Sequence, residues 1–122
     1  MVLNPDRNGV LEPLFLDGEQ LQLLEIKLDG KALTASEYLQ DGDGLQIATV
    51  PEKFILEIQT QIDPLNNTSL EGLYLTSGNF CTQCEAQGFR KITYYPDRPD
   101  VLARFRVRIE AEQKYSKLLS NG

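Results

Sequence analysis

The sequence predicts a mainly β fold built from antiparallel sheets or a sandwich, and three observations carry that prediction. Short stretches alternate apolar and polar residues at period two. Turn-forming dipeptides punctuate them at roughly even spacing, and no stretch sustains the apolar helical period that βαβ units need. The 122 residues, 41% hydrophobic and 25% charged, suffice for one domain to bury a core without metal or disulfide staples. With no internal repeat and no linker in view, residues 1–122 are expected to form a single β-rich domain.

Between Leu21 and Leu28 the apolar positions switch from Leu21 and Leu23 to Leu24, Ile26 and Leu28, which predicts a strand whose inward face flips at a bulge near Leu23. Asp29-Gly30 comes next as a two-residue hairpin signal, because both central positions of a type I′ turn need positive φ, so Lys31 to Leu33 should fold back. Asp41-Gly42-Asp43-Gly44 predicts another turn, entering a short strand at Leu45 to Ala48 that Val50-Pro51 ends. From Lys53 to Ile62, Phe54, Leu56, Ile58 and Ile62 alternate with Glu57, Gln59 and Gln61, the pattern of a half-buried strand. Ile62-Asp63-Pro64 closes it, and Asn66-Asn67-Thr68 begins a loop. After Gly88 the alternation is lost, and Arg90 to Tyr95 fit one helical turn before Asp97-Arg98-Pro99. A last strand is expected at Ala103 to Glu112, with Phe105, Val107, Ile109 and Ala111 on one face and Arg104, Arg106, Arg108, Glu110 and Glu112 facing water.

Composition narrows the function classes. With 12 basic against 18 acidic residues, the overall field repels nucleic acid and anionic membrane surfaces, so neither is expected as a partner. Met1-Val2-Leu3-Asn4-Pro5-Asp6 lacks a basic region followed by an apolar run, and no segment approaches the ~20 apolar residues of a membrane span. A soluble, cytoplasmic protein is the expectation. No histidine occurs, which removes the commonest general base and the commonest zinc ligand from any mechanism confined to these residues.

Cys81 and Cys84 form a C-x-x-C pair, readable as a redox dithiol, as half a zinc site, or as two small apolar side chains on a shaped loop. Structural zinc needs about four Cys or His ligands, and a thioredoxin-type pair needs a βαβ setting, so packing is the favoured role. Gly88, Asp97, Arg98, Pro99 and Asp100 suggest a loop stabilised around Asp97 and Arg98 better than a phosphate or metal site. Arg104, Arg106 and Arg108 read as a solubilising stripe, and the sequons at Asn66 and Asn67 carry little weight without a secretion signal. Taken alone, Glu85 is one surface carboxylate among many.

The run Cys81-Thr82-Gln83-Cys84-Glu85-Ala86-Gln87-Gly88-Phe89-Arg90, followed by Ile92-Thr93-Tyr94-Tyr95-Pro96-Asp97-Arg98-Pro99-Asp100-Val101, is too irregular for ordinary sheet. It resembles the substrate-recognition segment of the bacterial aminopeptidase N family, the alanyl-aminopeptidase branch of the gluzincin zinc metallopeptidases, in which C-T-Q-C-E-A-x-G-F-R precedes I-T-Y-Y/F-x-D-R-P-D-V. The resemblance extends through Pro51-Glu52-Lys53-Phe54, Asn67-Thr68-Ser69-Leu70-Glu71-Gly72-Leu73-Tyr74 and Leu118-Leu119-Ser120-Asn121-Gly122. It implies a piece of the family's N-terminal β domain, truncated at both ends, with strands before Met1 and after Gly122. It further implies that Glu85 binds the free amino terminus of a peptide substrate and that Gln83 lines the pocket for the first side chain. An exopeptidase must tell a terminal ammonium from an internal amide, and an ionised carboxylate does so through charge-assisted hydrogen bonds.

The family's H-E-x-x-H helix and G-A-M-E-N loop are absent here. Zinc and the catalytic residues would therefore lie outside this chain, in a catalytic domain of the same parent, and the isolated chain would be inactive. Two other classes stay open: a free-standing β-sandwich binding module, and a small thiol-based redox or metal protein.

Overall fold

The computed structural model describes the backbone of residues 2–3 and the whole of residues 13–120. The ten strands among these described residues, in chain order, are β1 (Val2–Leu3), β2 (Leu14–Asp17), β3 (Gln22–Leu28), β4 (Lys31–Ala32), β5 (Tyr38–Gln40), β6 (Gly44–Ile47), β7 (Lys53–Phe54), β8 (Leu56–Gln61), β9 (Gly72–Thr76) and β10 (Asn79–Gln83). A single 3₁₀ turn, Phe89–Lys91, comes after them. Every described ladder is antiparallel, so the fold is mainly β as the alternation predicts.

Two three-stranded sheets, ordered β2-β6-β5 and β4-β3-β8, supply most of the core. Leu14 and Leu16 of β2, Leu45 and Ile47 of β6 and Ile26 of β3 are buried together with Val50, Phe54 and Tyr94. Burial follows the pleat: on β2, Leu14 and Leu16 point inward while Phe15 stands out, and along β8 half-buried and exposed residues alternate strictly. The predicted bulge in β3 is present as a register shift between Leu23 and Glu25 against β8. At the β3–β4 turn Asp29 and Gly30 both take positive φ, 50° and 80°, as a type I′ hairpin requires.

The expected long strand at 53–62 is interrupted at Ile55. Its N–H donates to the Asp29 carboxylate and its C=O accepts from the Asp29 N–H, both at 2.8 Å, so the hairpin turn claims the backbone between β7 and β8. β7 pairs instead with β1. The expected strand at Ala103–Glu112 is not formed. Alternation states which face is apolar but supplies no ladder, and no described strand offers one here. Residues 103–112 run exposed, with Phe105, Val107 and Ile109 at 60, 56 and 46% exposure. The basic side chains of Arg104, Arg106 and Arg108 are exposed as expected, without the sheet that was to carry them. The expected helical turn at Arg90–Tyr95 sits earlier, at Phe89–Lys91, because Tyr95 is taken into a β-bridge with Asp17.

Candidate functional site

A hairpin that sequence reasoning missed presents the candidate residues. β9 and β10 are joined by Ser77 and Gly78, both at positive φ (48° and 79°), another type I′ turn. Their register ends where Gln83 faces Gly72. Beyond Gln83 the chain leaves the sheet in a tight loop: the Gly88 N–H donates to the Cys84 carbonyl at 3.1 Å, and the Gln83 amide donates to the Glu85 carbonyl at 3.3 Å. The Glu85–Ala86 peptide is cis. Gly88 is required for space rather than for conformation. A Cβ there would lie 2.7 Å from the Gln83 carbonyl oxygen and 2.9 Å from the Cys84 Cα, while its φ of −89° suits any residue.

The chain beyond Gly88 is fastened to β2. Arg90 donates from its backbone N–H and its Nε to the Asp97 carboxylate, each at 3.1 Å, and from its guanidinium to the Asp97 carbonyl at 3.0 Å. The same guanidinium stands 3.6 Å from the Asp17 carboxylate and 3.9 Å from Glu19. Asp17 in turn accepts from the Asp97 N–H at 2.8 Å, and two backbone hydrogen bonds join Asp17 to Tyr95. Burial lowers and the Asp97 hydrogen bond with the Asp17, Asp97 and Glu19 charges raises the Arg90 pKa, for a net rise. Arg90 and Asp97 are only 17 and 14% exposed, so this network is less screened than surface ion pairs. Asp97 thus stabilises the loop as expected, but through Arg90. Arg98 turns outward to Asp100 at 3.3 Å.

Tyr94 plugs the segment into the core, with its hydroxyl accepting from the Gln40 amide at 2.9 Å. Tyr95 packs edge-on to Phe89, centroids 5.2 Å apart, and both meet Phe105. Burial, helped by the nearby Asp97 charge, pushes the Cys84 thiol up, which makes it a poorer nucleophile and a poorer metal ligand. The cysteines are unbridged, and among the described residues no three His, Cys, Asp or Glu side chains are arranged so that they could hold a metal ion. The described residues therefore do not fit a zinc centre. No helix among the described residues is long and apolar enough to cross a membrane.

The profile of the Peptidase M1 N-terminal domain matches residues 8–122. The chain belongs to that family. This M1 N-terminal domain is 56% identical over 114 residues to aminopeptidase N of Caulobacter vibrioides, covering 93% of the chain and 13% of that protein. It is 50% identical over 118 residues to aminopeptidase N of Escherichia coli, covering 95% of the chain and 13% of that protein. Among solved structures, Legionella pneumophila aminopeptidase A in complex with aspartic acid matches with a TM-score of 0.68 and 35% identity, over 73% of this chain and 10% of that one. The chain spans 13% of the length of these two curated relatives.

Within the M1 N-terminal domain, Gln83 and Glu85 come together at the end of β10 and are both exposed. The Glu85 carboxylate makes no hydrogen bond or ion pair with any described residue. Neither residue lines the groove of about 920 Å³ that runs between β10 and residues 109–119, beside Phe80, Cys81, Ile109, Tyr115 and Leu118. Sequence reasoning missed the Asp17–Arg90–Asp97 network. Arg90 and Asp97 stand within the singled-out motif, but nothing in the sequence connects them with Asp17.

Proposed function

We propose that this M1 N-terminal domain forms one wall of the substrate entrance in a zinc-dependent aminopeptidase that releases N-terminal amino acids from peptides. Glu85 receives the substrate's α-ammonium, and Gln83 lines the space for the first side chain. Membership of the peptidase family and the named relatives support the peptidase part of this reading. The observation that carries the rest is the exposed Glu85 carboxylate, unpaired among the described residues, on a loop closed against backbone and clamped to β2. A carboxylate with its hydrogen-bonding capacity free and its backbone fixed is preorganised to accept an ammonium. The sequence has no histidine and the described residues gather no metal ligand set, so zinc and the bond-breaking groups would come from the catalytic domain of the same protein.

The test is Glu85→Gln in the full-length protein. The change keeps shape and removes charge. A hydrogen bond to a charged group is worth roughly 1.5–3 kcal/mol, so kcat/KM on free-amine substrates should fall by about 10- to 150-fold. If the ammonium is held equally in ground and transition states, most of that fall appears in KM. An N-acetylated peptide should be a poor substrate for both proteins. Wild-type kinetics for Glu85→Gln on free amines would remove Glu85 from the site.

A further inference from the structure

Glu85 is exposed, and within its own loop only the Gln83 amide and the Gly88–Cys84 hydrogen bond hold it. Rigidity has to come from beyond Gly88. There the chain enters Phe89–Lys91, whose middle residue is held at four points: Arg90 N–H and Nε on the Asp97 carboxylate, its guanidinium on the Asp97 carbonyl, and its carbonyl on the Glu19 N–H at 2.9 Å. Asp97 is fixed to Asp17 at the end of β2, a strand that buries Leu14 and Leu16 in the core. From the other side, Lys91 reaches Glu71 at 2.8 Å, next to Gly72, the residue paired with Gln83. Both ends of the loop are therefore referred to fixed sheet positions.

We propose that Arg90 is a positioning residue for amine recognition: through Asp97 and Asp17 it holds the Cys84–Gly88 loop so that the Glu85 carboxylate stands where the substrate ammonium arrives. The inference rests on the proposed role of Glu85 as the ammonium acceptor. Lysine cannot replace arginine here, because one ammonium cannot reproduce the fork that satisfies the Asp97 carboxylate and carbonyl while facing Asp17.

The experiment uses the full-length protein with Arg90→Lys, Glu85→Gln and the double variant, assayed on an aminoacyl amide with a free α-amino group. Misplacing a binding group by a fraction of an ångström weakens binding, so Arg90→Lys should raise KM by about 3- to 30-fold with a smaller change in kcat. If Arg90 acts through Glu85, the double variant should lose no more than about twofold beyond Glu85→Gln alone. A purely structural role would lower the active fraction and multiply with the Glu85 loss. Asp97→Asn, which keeps shape and one acceptor, provides a second variant if Arg90→Lys folds poorly, and it should raise KM in the same sense by less. Loss in Glu85→Gln with multiplying effects, or with unchanged KM in both clamp variants, overturns this inference alone. Wild-type kinetics for Glu85→Gln overturns it together with the amine reading.

Discussion

Replacing Gly88 with Ala adds a single methyl at the point where the Cys84–Gly88 loop closes. Its position lies 2.7 Å from the Gln83 carbonyl oxygen and 2.9 Å from the Cys84 Cα, inside ordinary contact with both. Both neighbours are backbone, so no side chain can swing aside, and either the end of β10 or the loop must move. The backbone at Gly88, φ −89° and ψ −12°, is open to alanine, so the cost is steric alone. Overpacking of this kind costs about 1–3 kcal/mol, offset by about 0.4–1 kcal/mol from the smaller entropy of the unfolded chain. Central values of about 2 kcal/mol of overpacking and about 0.7 kcal/mol of offset leave a net loss of about 1.3 kcal/mol, which at 1.36 kcal/mol per decade corresponds to local opening about tenfold more frequent. Amide hydrogen exchange of a peptide spanning residues 83–92, in the full-length protein, reads that opening directly. Gly42→Ala is the control: no atom lies within 4 Å of its Cβ position, and the change should stabilise by about 0.4–1 kcal/mol. A Gly88→Ala protein whose 83–92 peptide exchanges no faster than wild type would refute the claim that the loop closes on backbone.

Other outcomes concern the core and the thiols. Leu45 is fully buried between β2 and β5, so Leu45→Ala should cost about 2–5 kcal/mol of stability in denaturant unfolding, whereas Leu39→Ala, at an exposed position of β5, should change it by less than about 0.5 kcal/mol. Burial, helped by the Asp97 charge, raises the Cys84 pKa above that of an ordinary thiol, so its reactive thiolate is scarcer at neutral pH than that of a free cysteine. With Cys81 replaced by Ser, iodoacetamide at pH 8 should modify Cys84 more slowly than a model peptide, and denaturant should erase the difference; equal rates in the native protein would contradict its burial.

How much is legible in the sequence depends on whether the determinant is local. Asp29-Gly30 and the face switch at Leu23–Leu24 specify their turn and bulge through neighbouring residues, and both are present. The type I′ turn at Ser77-Gly78 is equally local yet escapes sequence reasoning, because the flanking Gly72–Thr76 and Asn79–Gln83 alternate only weakly. Residues 103–112 fail for the opposite reason. Their alternation is clean, but a strand is a relation between two backbones, and one sequence segment states only half of it. Gln83 and Glu85 are found by the motif, while the support beneath them is not, since Arg90 and Asp17 meet only through the tertiary fold.

The bond from Asp97 to Asp17 closes a span of 80 residues, and this fixes the order in which the loop can be made. At a synthesis rate of about 5–20 residues per second, β2 leaves the ribosome about 4–16 s before its anchor partner exists. Closing so long a span is entropically costly until other contacts have shortened it, so the β2-β6-β5 and β3-β8 pairings must come first. The Cys84–Gly88 loop is thus among the last parts of the domain to be set. Substitutions at Arg90 or Asp97 should then act mainly after the folding barrier, quickening unfolding while leaving the rate of folding nearly unchanged.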